Sequence, residues 1–212
     1  EQLLYDIAET GRYGGGFETF ETALDSAIDR AAQAYQSDGR LSGLATGLKD
    51  LDARMGGLQS TDLIIIAGRP GMGKTSLATN IAFNVASAYD PTQQVDGSLR
   101  PAAGGIVAFF SLEMSSEQLA TRVLSEQAEV PSSSIRRGEI GETDFERLLK
   151  HRQKMRRLPL FIDQTGALSI AQLAARARRL KRQRGLHLIV VDYIQLMQGR
   201  SQRAAQNRGQ EI

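Results

Sequence analysis

The amino-acid sequence predicts an α/β fold, in which a mainly parallel sheet is covered by helices on both faces. From residue 60 onward, short apolar runs alternate with segments of helical periodicity, as in successive β-α-β units. Between the first run and the first helix lies a glycine-rich loop with the spacing Gly-x-x-x-x-Gly-Lys-Thr, Gly68 to Thr75. A strand before such a loop and a helix after it are the context in which it holds phosphate groups.

The elements of this fold are predicted in chain order. Leu63 to Ala67 is expected to be a strand buried on both faces, followed by a helix from Lys74 to Ala88. Asp90 to Gly105 is rich in Pro, Gly, Gln and Asp, which is typical of an exposed loop. Three later apolar runs predict the remaining strands, at Ile106 to Phe110, Leu160 to Ile162 and Leu188 to Val191.

Capping boxes predict the starts of three later helices. In this motif a Ser or Thr side chain accepts a hydrogen bond from the amide three residues on, and a Glu or Gln at that position reaches back to the cap. The predicted pairs are Ser115 with Gln118, Thr143 with Glu146, and Ser169 with Gln172.

A separate amphipathic helix is predicted from Phe17 to Tyr35, because its apolar residues recur at steps of three and four. Breakers precede it at Gly14 to Gly16 and follow it at Ser37 to Gly39. Its apolar stripe needs a partner surface. The pattern alone leaves two partners open, the protein's own domain and a neighbouring subunit.

Composition narrows the class of protein. The chain has 212 residues, 41% of them hydrophobic, which suits one main domain with a sizeable core. It has no cysteine, no apolar run near the roughly 20 residues that span a bilayer, and no signal-peptide pattern. We therefore expect a cytoplasmic protein without membrane contact. The net charge of +2 does not by itself indicate nucleic-acid binding.

The two ends of the sequence predict that it is a fragment. The chain starts without Met, and it stops in a polar segment after a strand that should be central in the sheet.

The glycine-rich loop predicts binding of a nucleoside triphosphate, ATP with Mg²⁺. Glycines let successive amides point at the phosphates, and the positive end of the following helix adds to the attraction. Lys74 is expected to reach the β- and γ-phosphates, and the Thr75 hydroxyl is expected to bind Mg²⁺. The other predicted nucleotide-binding residues of this segment are Gly68, Arg69, Pro70, Gly71, Met72, Gly73 and Ser76.

Two acids at predicted strand ends complete the expected site. Asp192 follows four aliphatic residues, which indicates the second magnesium anchor. Hydrolysis also needs a group that orients the attacking water, and many such ATPases place a Glu directly after the metal-binding Asp. Tyr193 occupies that position here. Glu113 follows the strand Ile106 to Phe110, whose carboxyl end should open on the same edge as the loop, so it is the candidate catalytic carboxylate. An ordinary exposed glutamate is the alternative.

Two further features are less specific. Gln195 is a candidate to sense the γ-phosphate or nearby DNA, and an ordinary loop amide explains it equally well. The last predicted helix carries a basic run, which either a solvated helix face or a nucleic-acid contact explains. Its members are Arg176, Arg178, Arg179, Lys181, Arg182 and Arg184.

Five motifs occur in a fixed order along the chain: Leu41 to Asp52, Met55 to Leu58, Gly68 to Thr75, Ser111 to Ser115 (Ser-Leu-Glu-Met-Ser) and Val191 to Met197 (Val-Asp-Tyr-Ile-Gln-Leu-Met). Together they resemble the DnaB family of bacterial replicative DNA helicases over nearly the whole chain. The order and separation of these motifs are far more specific than the phosphate loop alone.

This resemblance implies a RecA-like P-loop ATPase motor that works as a homohexameric ring, with ATP between subunits. It implies translocation on single-stranded DNA and unwinding of the duplex at the replication fork. Glu113 corresponds to the family's catalytic glutamate, and Phe17 to Tyr35 to a linker helix that docks on the adjacent subunit. The implied domains are the end of an N-terminal connecting segment (1–16), the linker helix (17–36) and a C-terminally incomplete ATPase domain (37–212).

The family pattern also extends past this chain. The family's motor domain continues with further strands, loops that hold single-stranded DNA, and an arginine finger that completes a neighbour's site. The chain by itself is therefore expected to hydrolyse ATP weakly. Primase and a helicase loader are the other partners that the resemblance implies.

Two alternatives to a helicase motor stay open. A recombinase-type RecA relative would share the loop and the strand-end acids, but not the Ser111 to Ser115 and Val191 to Met197 motifs as they stand here. An assembly module would act through its linker helix and use nucleotide only to stabilise the fold.

Overall fold

The computed structural model describes residues 17–36, 41, 43–93 and 99–198. The chain divides into two units, Glu1–Ser42 and Gly43–Ile212. Helix α1 (Phe20–Gln36) belongs to the first unit. The described elements of the second unit are α2 (Lys49–Met55), α3 (Lys74–Ser87), β1 (Asp90–Gln93), β2 (Leu99–Ala103), β3 (Val107–Ser111), α4 (Ser116–Ala128), α5 (Ser132–Arg137), α6 (Glu142–Met155), β4 (Leu160–Asp163), α7 (Ile170–Arg184), β5 (Leu188–Asp192) and a 3-10 helix (Ile194–Leu196).

The central sheet of the described chain has three parallel strands in the order β4-β3-β5. Phe110 lies opposite Asp163 of β4, and Ser111 lies opposite Asp192 of β5. Because the strands are parallel, their carboxyl ends meet at one edge of the sheet. The three strands predicted from Ile106, Leu160 and Leu188 are confirmed, with ends that differ by one residue.

Helices cover both faces of this sheet, as predicted. Successive side chains of β3 point to opposite faces. Val107 and Phe109 pack against α3 and α4 on one face, while Ala108 and Phe110 pack against α7 on the other. All four side chains are buried, so β3 is the centre of the hydrophobic core.

The segment before the glycine-rich loop differs from its prediction. Leu63 to Ala67 does not form a strand, and no described strand pairs with it. Leu63 is 86% exposed and Ile65 78% exposed. The apolar pattern shows that a segment is suited to burial, but burial in a sheet needs neighbouring strands. The described sheet ends at β5 and provides none beside this segment.

The predicted loop from Asp90 to Gly105 is also a correction. It contains an antiparallel pair, β1 and β2, in which Pro91 lies opposite Pro101. Proline usually interrupts a strand because it has no N–H group to donate to a neighbouring strand. An edge strand of a two-stranded ribbon tolerates it. Residues 94–98, between the two strands, lie outside the described residues.

Two of the three predicted capping boxes are confirmed. Ser115 and Gln118 cap α4, and Ser169 and Gln172 cap α7, with both hydrogen bonds of each box present. The prediction at Thr143 is wrong, because α6 begins at Glu142 with Gly141 as its N-cap and no side-chain cap. Glycine is itself an acceptable N-cap, so the helix starts before the predicted box.

The described parts of the first unit show an amphipathic helix, as predicted. Helix α1 begins at Phe20, three residues after the predicted start. Phe20 is 78% exposed and Ile28 is 67% exposed. The proposed connecting segment (1–16) and the breaker Ser37 to Gly39 lie outside the described residues. None of the described helices has the length and apolar character needed to cross a membrane.

A buried carboxylate organises the start of the second unit. Oδ1 of Asp52 in α2 accepts hydrogen bonds from the backbone N and Oγ1 of Thr46, both at 2.8 Å, and Oδ2 accepts one from Gly47 N at 3.2 Å. The side chain of Asn84 in α3 donates to Thr46 O at 2.9 Å. This contact ties the segment around α2 to the helix that follows the glycine-rich loop.

Candidate nucleotide site

The glycine-rich loop has the backbone shape that its spacing predicts. Gly71 and Gly73 have φ angles of 79° and 84°, a region that residues with a side chain rarely adopt. A Cβ atom at either position would meet nothing within 4 Å, so backbone conformation rather than space requires glycine there. Gly73 is the N-cap of α3, which places the free amides of the first helical turn at the loop.

Lys74 closes over the loop. Its Nζ donates to Gly68 O at 2.9 Å and to Arg69 O at 3.2 Å. Both acceptors are neutral carbonyls, which charged phosphate oxygens would replace favourably. A cavity of about 510 Å³, within the usual range for small-molecule sites, adjoins the loop and is lined by Ile66, Ala67, Gly68, Arg69, Met72, Gly73, Lys74 and Leu77.

Asp192 lies at the carboxyl end of β5 and is buried, with 6% exposure. Its Oδ2 atom has no hydrogen-bond partner among the described residues. Buried polar atoms are normally paired, so an unpaired one is suited to contact a ligand. The Oδ2 atom of Asp192 could bind a Mg²⁺ ion or a water of its shell, since Mg²⁺ prefers oxygen ligands. Thr75, in the first turn of α3, offers a second oxygen ligand through its hydroxyl group.

The structure brings the loop that carries Glu113 next to Asp192. Leu112 N donates to Asp192 O at 2.8 Å, and Ser111 Oγ donates to Met114 O at 2.8 Å across the turn. Glu113 itself is exposed. Tyr193 is half-buried, and its side chain offers no carboxylate for hydrolysis.

The helix that follows the glycine-rich loop packs on the same sheet. Helix α3 contacts both β3 and β5, whose carboxyl ends lead to Glu113 and Asp192. Ser76 is exposed in the first turn of α3, and Gln195 is exposed in the short 3-10 helix after β5. The contacts of Ser76 and Gln195 with a nucleotide therefore stay predictions.

One acid at this edge was not predicted from the sequence. Asp163 ends β4, and its Oδ2 accepts a hydrogen bond from Arg176 Nη1 at 2.5 Å in an ion pair. Burial acts to raise the pKa of Asp163, but hydrogen bonds from Arg176 and Thr165 hold it below its ordinary value. The available signal was an acid directly after the apolar run Leu160 to Ile162, the pattern already noted at Asp192.

The same contact accounts for one member of the basic run on α7. Arg176 is committed to Asp163, and the guanidinium of Arg184 lies 6.0 Å from the centre of the Phe161 ring, within the range of a cation–π contact. These two contacts favour a structural role for part of the run.

The parallel sheet, the helices on both faces and the curled loop at the start of α3 define a P-loop nucleotide-binding domain. Residues 43–212 match the family model of the DnaB-like helicase C-terminal domain. The chain therefore belongs to the DnaB-like helicase family, which confirms the resemblance seen in its motifs and agrees with a nucleotide-binding domain.

Similar proteins of known name agree with this assignment. The chain is 41% identical over 212 residues to replicative DNA helicase DnaB of Rickettsia conorii, covering 100% of this chain and 42% of the relative. It is 35% identical over 201 residues to replicative DNA helicase DnaB of Geobacillus stearothermophilus, covering 95% of this chain and 41% of the relative. The chain thus spans about two fifths of the length of these curated relatives.

Solved structures share the fold. One solved ATPase domain superposes with a TM-score of 0.72 at 22% identity, over 88% of this chain and 61% of that one. A DnaB-like replicative helicase, described with its interactions with primase, gives a TM-score of 0.70 at 22% identity, over 98% of this chain and 46% of that one. The predicted RecA-like fold is confirmed.

Proposed function

We propose that this chain is the ATPase motor of a replicative DNA helicase. In this function it hydrolyses ATP with Mg²⁺ at the subunit interfaces of a hexameric ring, moves along single-stranded DNA and unwinds the duplex at the replication fork. Membership of the DnaB-like family supports the assignment. The observation that carries the chemistry is the 2.8 Å hydrogen bond from Leu112 N to the backbone O of Asp192. It sets the Glu113 loop beside a buried carboxylate whose Oδ2 has no partner among the described residues.

Each part of the site has a proposed task. The loop amides and Lys74 bind the phosphates, with Lys74 exchanging its contacts to Gly68 and Arg69 for phosphate oxygens. Thr75 and Asp192 hold Mg²⁺, which when bound neutralises charge on the phosphates. Glu113 accepts a proton from the attacking water and orients it. Gln195 is proposed to sense the γ-phosphate.

The exposed apolar side chains of α1 support a role in assembly. A helix that exposes large apolar residues along one face normally buries them against a partner. We assign residues 17–36 as a linker helix that docks on the adjacent subunit, residues 1–16 as a connecting segment and residues 37–212 as the ATPase domain. Primase and a helicase loader are proposed partners, and the proposed location is the cytoplasm, at replication forks.

A forked-duplex unwinding assay of the full-length protein tests this function. Lys74→Ala should bind ATP more weakly and lose unwinding, because it removes the ammonium group that lies over the loop carbonyls and would pair with the phosphates. Lys49→Ala, which removes an exposed lysine of α2, is the matched control and should unwind normally. Normal unwinding by Lys74→Ala would contradict the proposed function.

A further inference from the structure

The loop that carries Glu113 is anchored on both of its sides. Before Glu113, Leu112 N donates to Asp192 O at 2.8 Å. After it, Ser116 N donates to Oε1 of Gln164 at 2.6 Å. Ser116 begins α4, so its amide is one of the first-turn donors that the helix itself cannot pair. The second anchor therefore links the start of α4 to the turn that follows β4.

These anchors fix the backbone on both sides of Glu113 and so limit the region that its carboxylate can reach. Glu113 is exposed, and among the described residues its side chain makes no hydrogen bond. With no partner of its own there, the side chain is positioned only by the backbone that carries it. A group that orients water must be placed closely, because a displacement of about 1 Å can cost on the order of 10²-fold in rate.

Gln164 is itself held in place by its two neighbours in sequence. Asp163 Oδ1 accepts a hydrogen bond from Thr165 N at 3.0 Å. Arg176 on α7 donates to Asp163 Oδ2 at 2.5 Å and to Thr165 Oγ1 at 2.6 Å. The turn that contains Gln164 is thus fixed to α7, which packs on the face of the sheet opposite α4. The hydrogen bonds from Arg176 and Thr165 that lower the pKa of Asp163 also stabilise its charged form.

We propose that Gln164 is a positioning residue for ATP hydrolysis. By accepting the hydrogen bond from Ser116 N, it fixes the first turn of α4 and so the distance of Glu113 from the nucleotide. This role rests on the proposed catalytic function of Glu113. It predicts that the acceptor oxygen of residue 164 affects turnover and does not affect ATP binding.

The test compares three variants of the full-length protein. Gln164→Ala removes the acceptor. Gln164→Glu keeps an acceptor, and a negative charge is favoured at a helix N-terminus. Gln153→Ala, which removes an exposed glutamine of α6, is the matched control. The measurements are kcat and KM for ATP hydrolysis with single-stranded DNA present, ATP affinity, and the thermal midpoint.

The expected result separates turnover from binding. Gln164→Ala should lower kcat about 10-fold while ATP affinity stays within about twofold of the parent protein. Gln164→Glu should recover kcat to within about threefold, and Gln153→Ala should match the parent. Because Gln164 is exposed, none of these substitutions should unfold the domain.

Two outcomes would overturn the proposal, namely parental kcat in Gln164→Ala, or equal losses in Gln164→Ala and Gln164→Glu. Glu113→Gln, measured in parallel, distinguishes a failure of the positioning role of Gln164 from a failure of the proposed function. If Glu113→Gln abolishes hydrolysis while Gln164→Ala has no effect, only the positioning role is wrong. If Glu113→Gln hydrolyses ATP normally, the role of Glu113 itself is wrong.

Discussion

Oδ2 of Asp192 shows how a single atom can mark a site. The carboxylate is buried at the end of β5, and this oxygen has no partner among the described residues. Leaving a buried polar group unpaired costs about 1–3 kcal/mol. Folding therefore places a costly group next to the Glu113 loop, where a bound cation would offset the cost.

Asp192→Asn should separate stability from metal binding. Because the substitution replaces a buried carboxylate oxygen that has no partner among the described residues, the nucleotide-free protein should keep or raise its thermal midpoint. The increase in midpoint caused by ATP with Mg²⁺ should be lost. Thermal unfolding with and without Mg²⁺-ATP measures both. Asp163→Asn, which breaks a paired carboxylate, should lower the midpoint and retain the increase. A full Mg²⁺-ATP effect in Asp192→Asn would contradict the assignment of Asp192.

His187 should make folding stability sensitive to mild acid. Its Nδ1 accepts a hydrogen bond from Ile106 N at 3.0 Å, which requires that nitrogen to be unprotonated. Partial burial, and then the charge of Lys181, lower the pKa of His187 from its ordinary value of 6.5. The folded state favours neutral His187. Its contribution to the free energy of unfolding is therefore present above pH 6.5 and is lost as pH falls through the lowered pKa.

Denaturant unfolding at about pH 7.5, 6.5 and 5.5 checks this expectation about His187. The parent protein should lose stability toward the lowest pH, and His187→Gln should lose less over the same interval. Parallel curves for the two proteins would show that the pH dependence comes from other groups.

At the scale of elements, the sequence predicted what local chemistry determines. β3, β4 and β5 were found because each is an apolar run, and the caps of α4 and α7 because a capping box lies within four residues. Leu63 to Ala67 was wrongly predicted as a strand, because strand pairing depends on a neighbouring strand that periodicity does not report. The β1–β2 pair was missed because prolines in an edge ribbon resemble those of a loop.

Asp52 joins α2 to the segment before it, so substituting Asp52 tests how much this link contributes to stability. Asp52→Ala removes three hydrogen bonds to a buried carboxylate and leaves the amides of Thr46 and Gly47 unpaired. We expect a loss of about 2–4 kcal/mol in the free energy of unfolding, measured by urea denaturation. Asp50→Ala, an exposed acid of the same helix, should cost much less. Equal losses would show that the buried network contributes little.

At the scale of the whole molecule, the relative positions of two site residues could be predicted from a general rule of parallel sheets. The carboxyl ends of parallel strands share an edge, so Glu113 and Asp192 could be placed together from the order of strands in the sequence. The link from Ser116 to Gln164 could not be foreseen, because it joins residues 48 positions apart through one side chain. The partner of α1 is equally outside the reach of a pattern, since an apolar stripe does not specify what covers it.

Assembly of the full-length protein tests the proposed role of α1. Phe20→Glu combined with Ile28→Glu places charges on its exposed apolar residues, and should lower the fraction of hexamer seen by sedimentation. Glu21→Ala, on the same helix, is the control and should assemble normally. Unchanged hexamer in the double variant would argue against docking through this face.

ATP hydrolysis by assembled Glu113→Gln is the most direct test of the proposed motor site. The glutamine keeps the shape of the side chain and cannot accept the proton from water, so hydrolysis should fall about 10²-fold or more while ATP still binds. Glu117→Gln, an exposed glutamate in the first turn of α4, should hydrolyse ATP at the parental rate. A parental rate in Glu113→Gln would contradict the account.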